Sequence, residues 1–269
     1  MDLHLRDRVY LVTGGSRGLG FAAAEALVAE GARVVVSSPR EAPAAAAAAR
    51  LADAAAADSV AWLAADNADA ATPERLITTA EDRFGRLDGA LVSVGGTPPG
   101  TVATTPDDVW RSSFESVFLG AIRLARLLGT HLSGRGTGPG TAALAGTGGS
   151  VVFVLASSVR VPLAELAVSN GLFPGLAGVV KMLAEDLGPS GIRMNGILPV
   201  RIATERVRQL DALSGDPDEV RARKSADIPM RRYGEPEEFG RVAAFLLSPA
   251  ASYITGAMIP VDGGSIRAI

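Results

Sequence analysis

Cysteine is absent from the sequence, and only two histidines, His4 and His131, are present. Without cysteine the chain can form no disulfide, thiol nucleophile or thiolate zinc site. Both histidines lie far from any motif, so a histidine-based metal site or a serine–histidine triad is not expected. We therefore predict no metal-binding residue.

Charge is also sparse, because only 20% of the 269 residues are charged and the net charge is −3. This balance argues against a nucleic-acid-binding surface. No run approaches the ~20 apolar residues that a membrane-spanning helix needs. The first predicted strand begins so near Met1 that no signal peptide is expected. We expect a soluble, cytoplasmic protein that binds neither nucleic acid nor membrane.

What the sequence has in quantity is apolar runs that alternate with helical stretches. Strands are predicted at residues 9–13, 34–37, 61–65, 89–94, 150–155, 193–198 and 258–261. Helices are predicted at 19–30, around 44–57, and at 72–84, 107–128, 172–187 and 236–247. Continuous runs of Val, Ile and Leu are typical of buried parallel strands. The predicted fold class is α/β, with a doubly wound parallel sheet of about seven strands and helices on both faces. We expect residues 1–269 to form a single domain.

Two long irregular segments interrupt this alternation. The glycine-rich segment 134–149 follows a helix and precedes a strand, which places it at the amino edge of the sheet. Ligands of open α/β sheets bind beyond the carboxyl ends of the strands, so we predict a solvent or interface loop. Segment 200–232 instead leaves the carboxyl end of a strand, and we predict a lid over a substrate.

A glycine-rich loop directly follows the first predicted strand and opens the first long helix. It reads Thr13-Gly14-Gly15-Ser16-Arg17-Gly18-Leu19-Gly20. Glycines at such a turn let the backbone approach a diphosphate, while the helix N-terminus supplies N–H donors and a positive dipole end. The strand before the loop and the helix after it make the signal stronger than a glycine cluster alone.

With this loop the sequence resembles the short-chain dehydrogenase/reductase family along nearly its whole length. Asp66 resembles the family's adenine-contacting aspartate, and Ile192-Arg193-Met194-Asn195 followed by Pro199 resembles its strand-six signature. Further matches lie in the last forty residues: Arg232-Tyr233-Gly234-Glu235-Pro236-Glu237-Glu238, Ser252-Tyr253-Ile254-Thr255-Gly256 and Val261-Asp262-Gly263-Gly264. The resemblance implies a Rossmann-type fold, a nicotinamide cofactor, a small carbonyl or hydroxyl substrate, and a homodimer or homotetramer.

The resemblance also implies where the cofactor binds. The implied cofactor residues are Gly14, Ser16, Arg17, Gly18, Leu19, Gly20, Ser38, Arg40, Asp66, Asn67, Gly95 and Thr204. NAD-preferring relatives carry an acid at the end of the second strand. This chain instead has Ser37-Ser38-Pro39-Arg40, and a 2′-phosphate could meet Ser38, Arg40 and Arg17, so NADP is favoured over NAD. The alternatives are that both arginines are merely solvated, or that no nicotinamide cofactor binds.

The family's catalytic Asn–Ser–Tyr–Lys set is not found at the expected positions. Counting back from the matched segment that begins at Lys181 places Phe173 at the lysine position and Ser169 at the tyrosine position. Ala156 falls at the serine position, and counting from the preceding helix places Val117 at the asparagine position. The resemblance therefore implies that all four positions are substituted.

These substitutions have different physical consequences. The pKa of tyrosine starts near 10 and can be tuned, whereas a serine hydroxyl offers no comparable ionisation. Loss of general acid–base help alone removes about 10²–10⁴ in rate. Phenylalanine cannot donate to a ribose hydroxyl, which weakens cofactor binding without abolishing it.

Polar residues near these positions are candidates to replace the missing groups. The candidate catalytic residues are Ser157, Arg160, Glu165, Ser169 and Asn170. Ser157 and its neighbour Ser158 lie just past the expected serine, and an arginine could polarise a carbonyl without proton transfer. The alternative is that Ser169 or Asn170 caps a helix and that Arg160 and Glu165 are solvated loop charges.

Three hypotheses follow from the sequence. The first is a divergent reductase that binds NADP(H) and acts on a small carbonyl compound through a non-standard site. The second is an enzyme that catalyses non-redox elimination, isomerisation or cyclisation in the same pocket, with Glu165 as base and no cofactor required. The third is an inactive pseudo-reductase that binds a ligand or pairs with an active homologue.

Overall fold

The computed structural model describes residues 1–54, 57–134 and 148–268. These residues form a parallel sheet of seven strands in the order β3-β2-β1-β4-β5-β6-β7. The strands are β1 Val9–Val12, β2 Arg33–Ser38, β3 Val60–Ala64, β4 Gly89–Ser93, β5 Gly149–Val154, β6 Ile192–Pro199 and β7 Met258–Val261. The predicted fold class is confirmed.

Helices cover both faces of this sheet. They are α1 Gly18–Ala29, α2 Glu41–Asp53, α3 Thr72–Phe84, α4 Asp107–Ser113, α5 Gly120–Ser133, α6 Ala167–Leu187, α7 Glu205–Ala212, α8 Pro217–Asp227 and α9 Pro236–Leu247. Side chains alternate along β1, so that Val9 and Leu11 pack towards α3, α5 and α6. Tyr10 and Val12 pack towards α1, α2 and α9. Both faces are buried, which explains the unbroken apolar runs in the sequence.

The strand order changes direction at β1. This strand pairs with β2 on one side and with β4 on the other. The chain therefore leaves β1 and β4 towards opposite faces of the sheet, and a crevice opens between their carboxyl ends. This position is where an open α/β sheet binds its ligands.

Several element boundaries differ from the predictions. Instead of one helix over 107–128, the chain forms α4, a π-helical turn at Phe114–Leu119, and α5. Helix α6 begins at Ala167, five residues before the predicted start, because the preceding loop is fixed by hydrogen bonds described below. Segment 200–232 contains the helices α7 and α8. Most of the predicted glycine-rich loop, residues 135–147, lies outside the described residues.

The strand-six signature and the tail motif are explained by direct contact between them. Arg193 is buried and donates hydrogen bonds to the carbonyls of Ser248 (2.9 Å) and Ile254 (3.2 Å). Asn195 donates to the Ile254 carbonyl at 2.9 Å and accepts from the Ala257 N–H at 3.0 Å. Burial lowers the pKa of Arg193 to about 10, so the group remains charged at neutral pH. Both motifs therefore dock the tail onto β6.

The expectation about membrane spans needs one correction. Residues Ala167–Ser190 are long and apolar enough to cross a membrane by length and composition alone, with a mean hydropathy of 1.3. However, 44% of the most apolar stretch of this helix is buried inside the fold. Helix α6 contributes Leu172, Leu176 and Val180 to the core. Packing against the sheet accounts for its apolar character.

Candidate functional site

The glycine loop forms a tight cradle between β1 and α1. Gly14 and Gly18 have positive φ angles of 60° and 57°, which glycine adopts without strain. A Cβ on Gly20 would lie 2.4 Å from the Gly14 carbonyl oxygen, so the loop packs against the helix without room for a side chain. The N-cap residue Arg17 makes no side-chain hydrogen bond to the helix, and the first turn of α1 carries no acidic residue. The electropositive N-terminus of α1 therefore faces the crevice without a competing carboxylate.

Of the residues predicted to hold a 2′-phosphate, Ser38 and Arg40 lie at the carboxyl end of β2, and Arg17 is the N-cap of α1. Arg17 and Arg40 are exposed, whereas Ser38 is buried. The Ser38 hydroxyl donates to the Arg40 carbonyl at 2.8 Å, so it fixes the turn that presents Arg40. The Ser37 hydroxyl is buried beside it and has no hydrogen-bond partner among the described residues.

The next predicted cofactor residues follow β3 and β4. Asp66 is exposed, and its carboxylate accepts the Ala68 N–H at 2.9 Å. Asn67 donates to the Ser93 carbonyl at 3.4 Å. Thr13 also bonds Ser93, through both the carbonyl (2.9 Å) and the N–H (2.8 Å), which ties the end of β1 to the end of β4. These bonds fix the two strand ends that border the crevice.

Gly95 and Thr204 border the opening of the crevice. Gly95 is exposed with a φ of 82°, and a Cβ there would meet nothing within 4 Å. Thr204 is the N-cap of α7, and its hydroxyl accepts the Val207 N–H at 3.4 Å. Its methyl carbon lies 3.7 Å from the position that a Cβ on Gly18 would take. The glycine cradle, the bare N-terminus of α1 and the open space at Gly95 fit the diphosphate and ribose of a dinucleotide.

The residues predicted to stand in place of the family's catalytic set are largely apolar and buried. Val117 and Phe173 are 3% and 4% exposed and belong to the same core cluster. Ala156 packs against that cluster. Val117 lies within the π-helical turn, and Phe173 lies on α6. Apolar side chains therefore fill these positions.

Two buried serines form the polar part of this region. The hydroxyls of Ser158 and Ser169 are 2.9 Å apart, and the Ser158 hydroxyl also lies 3.2 Å from the Ser169 carbonyl. Ser157, a predicted catalytic residue, is buried at the start of the same short turn after β5. The structure brings Ser158 and Ser169 into a hydrogen-bonded pair that the sequence did not predict, since eleven residues separate them.

Asn170, a predicted catalytic residue, makes two hydrogen bonds to the backbone of Leu163. Its side-chain oxygen accepts the Leu163 N–H at 2.8 Å, and its amide nitrogen donates to the Leu163 carbonyl at 2.7 Å. The amide therefore fixes the loop that precedes α6.

Arg160 and Glu165 are both exposed members of that loop. Arg160 donates to the Met258 carbonyl at 3.3 Å. Glu165 has a φ of 57°, and its backbone carbonyl accepts the Gly100 N–H at 2.7 Å. The loop is thus tied to residue 100 through its backbone and not through the Glu165 carboxylate.

Segment 200–232, which the sequence predicts to be a lid, is organised around the carboxylate of Asp211, a residue that carried no prediction. Asp211 is 2% exposed and accepts from Arg201 (2.7 Å), Lys224 (3.2 Å) and the Tyr233 hydroxyl (2.9 Å). Burial, together with the bond to Asp211, raises the pKa of Tyr233 to about 12. The network joins α7, α8 and the chain before α9, and no local motif marks it.

Within the described residues no group of three histidine, cysteine, aspartate or glutamate side chains could hold a metal ion.

The protein-family model described as enoyl-(acyl carrier protein) reductase matches residues 14–265, from the glycine cradle to the docked tail. The chain belongs to the short-chain dehydrogenase/reductase family.

Named members of this family resemble the chain over nearly its full length. Short-chain reductase protein NovJ of Streptomyces niveus is 30% identical over 264 residues, covering 96% of this chain and 94% of the relative. L-rhamnose 1-dehydrogenase (NAD(P)(+)) of Azotobacter vinelandii is 33% identical over 263 residues, covering 97% of each. The solved L-sorbose reductase from Gluconobacter frateurii, complexed with NADPH and L-sorbose, is 26% identical with a TM-score of 0.88, covering 100% of both chains.

Proposed function

We propose that this short-chain dehydrogenase/reductase binds NADP(H) and acts as an atypical reductase on a small carbonyl compound. The observation that carries the proposal is the intact glycine cradle, with the N-terminus of α1 aimed at the crevice where the strand order changes direction. The solved relative complexed with NADPH and L-sorbose is consistent with this ligand class.

The preference for NADP over NAD rests on the end of β2. Arg40 is an exposed cation just past that end, Arg17 is an exposed cation at the N-cap of α1, and no acid lies between β2 and Glu41. A carboxylate there would bind a ribose 2′-hydroxyl and repel a phosphate, whereas arginines bind phosphate through several N–H donors. Ser38 fixes the turn that carries Arg40.

The reaction would take place beyond β5, near the Ser158–Ser169 pair. When bound, the dinucleotide supplies hydride to the carbonyl carbon. One hydroxyl of the pair donates a hydrogen bond to the carbonyl oxygen while the other holds the donor's orientation, and water delivers the proton to the oxygen. Asn170 supports this arrangement by fixing the loop over the pair.

A weaker catalyst than a family member with the complete tetrad is expected from this arrangement. Serine hydroxyls orient a substrate oxygen but do not ionise near neutral pH. Phe173 brings no positive charge to its aligned position, since it is buried in the apolar cluster. A rate lower by about 10²–10⁴ is expected from the missing acid–base group.

One observation favours a second candidate, a pseudo-reductase that assembles with an active homologue. Val117, Phe173 and Ala156 close the aligned catalytic positions with apolar contacts, as a subunit retained for binding or assembly would allow. In either case we expect a cytoplasmic protein that forms a homodimer or homotetramer, or an assembly with the homologue.

Calorimetric titration of purified protein with NADPH, NADP, NADH and NAD tests the binding step. We expect micromolar affinity, strongest for NADPH. In Arg40→Ala the affinity for NADPH should fall towards that for NADH. No binding at millimolar cofactor would refute the proposal and direct attention to cofactor-free chemistry.

Transfer of deuterium from labelled NADPH to a panel of small ketones separates the two candidates. Stereospecific label in a product supports the reductase. Cofactor binding without transfer, together with a homologue whose rate depends on this chain, supports the assembly subunit.

A further inference from the structure

Arg206, on the first turn of α7, crosses the opening of the dinucleotide crevice. Its guanidinium donates to the Thr97 carbonyl at 2.7 Å, on the loop that follows β4. Its Nε lies 2.9 Å from the position that a Cβ on Gly96 would take. The neighbouring Thr204 lies over Gly18 at the start of α1. The Arg206 side chain thus connects α7, in the lid, to the loop that follows β4.

Arg206 differs from several other cations of the lid in having no ion-pair partner among the described residues. Arg201 and Lys224 pair with Asp211, and Arg208 pairs with Asp218. Arg206 is half-buried, yet among the described residues it has no carboxylate within ion-pair distance. A guanidinium carries five N–H donors, and the bond to Thr97 uses one of them. Such a cation is suited to an anionic ligand in the crevice.

The surroundings of Arg206 indicate which anionic group of a dinucleotide it would bind. Arg40 follows β2, where the adenosine ribose and its 2′-phosphate are expected. The first turn of α7 instead faces Gly18, where the N-terminus of α1 favours a diphosphate. Gly96 has no side chain to obstruct the guanidinium. The N-terminus of α1 and the first turn of α7 therefore meet at Gly18 and Thr204, where the middle of the dinucleotide is expected.

We propose that Arg206 binds the diphosphate of the dinucleotide and thereby closes the lid on it. This inference rests on the proposed function, because it requires that a dinucleotide binds. It adds a ligand-binding residue on the lid, outside the glycine loop. Arginine suits this contact because its planar fork can donate two parallel hydrogen bonds to phosphate oxygens.

Calorimetric titration of Arg206→Gln with three probes tests the proposal. The probes are NADPH, 2′-phospho-ADP-ribose, which keeps the diphosphate but lacks nicotinamide, and adenosine 2′-monophosphate, which lacks the diphosphate. Glutamine can still donate to the Thr97 carbonyl but carries no charge. Affinity for the first two probes should fall roughly ten- to hundredfold, and affinity for the third should stay within about twofold.

Two further variants accompany this titration. Arg208→Gln on the same helix removes an exposed cation and should bind all three probes like the wild type. Arg206→Lys keeps the charge without the fork and should recover part of the lost affinity. Hydrogen exchange supplies a separate readout: NADPH should slow exchange in α7 of the wild type, and much less in Arg206→Gln.

The outcomes separate failure of this inference from failure of the proposed function. If the wild type binds NADPH and Arg206→Gln binds it equally well, Arg206 is not a diphosphate ligand. A loss confined to NADPH, with 2′-phospho-ADP-ribose unaffected, would also overturn the inference. If the wild type binds none of the dinucleotides, the proposed function fails and this inference fails with it.

Discussion

The two ends of the crevice are built from different parts of the chain. At the end near β1 and β2, the backbone forms the site: glycines shape a cradle, and the N-terminus of α1 points into it. At the end near β5 and α6, where the proposed reaction takes place, side chains line the crevice, and Val117 and Phe173 are buried in the apolar core cluster. Under the proposed function, binding of a dinucleotide and chemistry on a substrate therefore depend on separate features. A chain can lose the second while it keeps the first.

The largest effect is expected from a charge placed at the apolar end. Phe173→Lys removes a 4%-exposed aromatic ring and buries an ammonium group in the core cluster. The free energy of unfolding should fall by about 3–5 kcal/mol, measured by urea denaturation. Met182→Lys, at a 64%-exposed position on the same helix, should change it by less than about 0.5 kcal/mol. Equal stability of both variants would mean that the position of Phe173 is open and hydrated.

A smaller effect is expected from closing the cradle at the other end. Gly20→Ala places a methyl group 2.4 Å from the Gly14 carbonyl oxygen, so the loop must shift. Stability should fall by about 1–3 kcal/mol, and NADPH affinity measured by calorimetry should fall at least about tenfold. Gly178→Ala, at an open position on α6, should instead stabilise by about 0.5–1 kcal/mol. Undiminished NADPH binding by Gly20→Ala would contradict a backbone-built site.

A substitution of Asn170 tests whether this side chain fixes the loop before α6 or takes part in catalysis. Asn170→Ala removes two hydrogen bonds to Leu163 and should cost about 1–2 kcal/mol. Hydrogen exchange in residues 160–166 should become faster, whereas Glu165→Gln in the same loop should leave it unchanged. Loss of turnover with unchanged exchange in Asn170→Ala would identify a catalytic group instead.

The smallest effect concerns α9, which packs beneath α1 and supports the cradle. The hydrogen bond from Arg232, followed by that from the Glu235 N–H, lowers the pKa of Glu238 from 4.5 to about 2. The ionised Glu238 carboxylate therefore stabilises the folded state fully above pH 4.5, and this contribution is lost as pH falls towards 2. Because the pair is largely exposed, Glu238→Gln should lower stability by less than about 1 kcal/mol at pH 7.

The difference in the free energy of unfolding between Glu238→Gln and the wild type should become smaller as the pH of the measurement decreases. Glu237→Gln, one residue away and exposed, should show no such convergence. A gap that stays constant down to pH 2 would show that Glu238 acts through packing and not through its charge.

Most of the framework was predictable, because it depends on local patterns. The alternation of apolar runs predicted all seven strands within about two residues, and the glycine spacing predicted the cradle at β1. The break in the helix after residue 113 was not predictable in the same way, since its sequence keeps a helical pattern while the backbone takes a π-helical turn. The catalytic roles of Ser157, Arg160, Glu165, Ser169 and Asn170 remain predictions.

The sequence by itself determined the sheet, its order of elements and the cradle, because strand burial and glycine turns follow from neighbouring residues. Only the tertiary structure decided which polar groups meet. Arg206 reaches a carbonyl 109 residues away in the chain, and Asp211 gathers three partners from separate segments of the lid region. Ser158 finds Ser169 only because the loop between them is fixed. Such contacts depend on how the parallel sheet brings distant strand ends together, which no short stretch of sequence encodes.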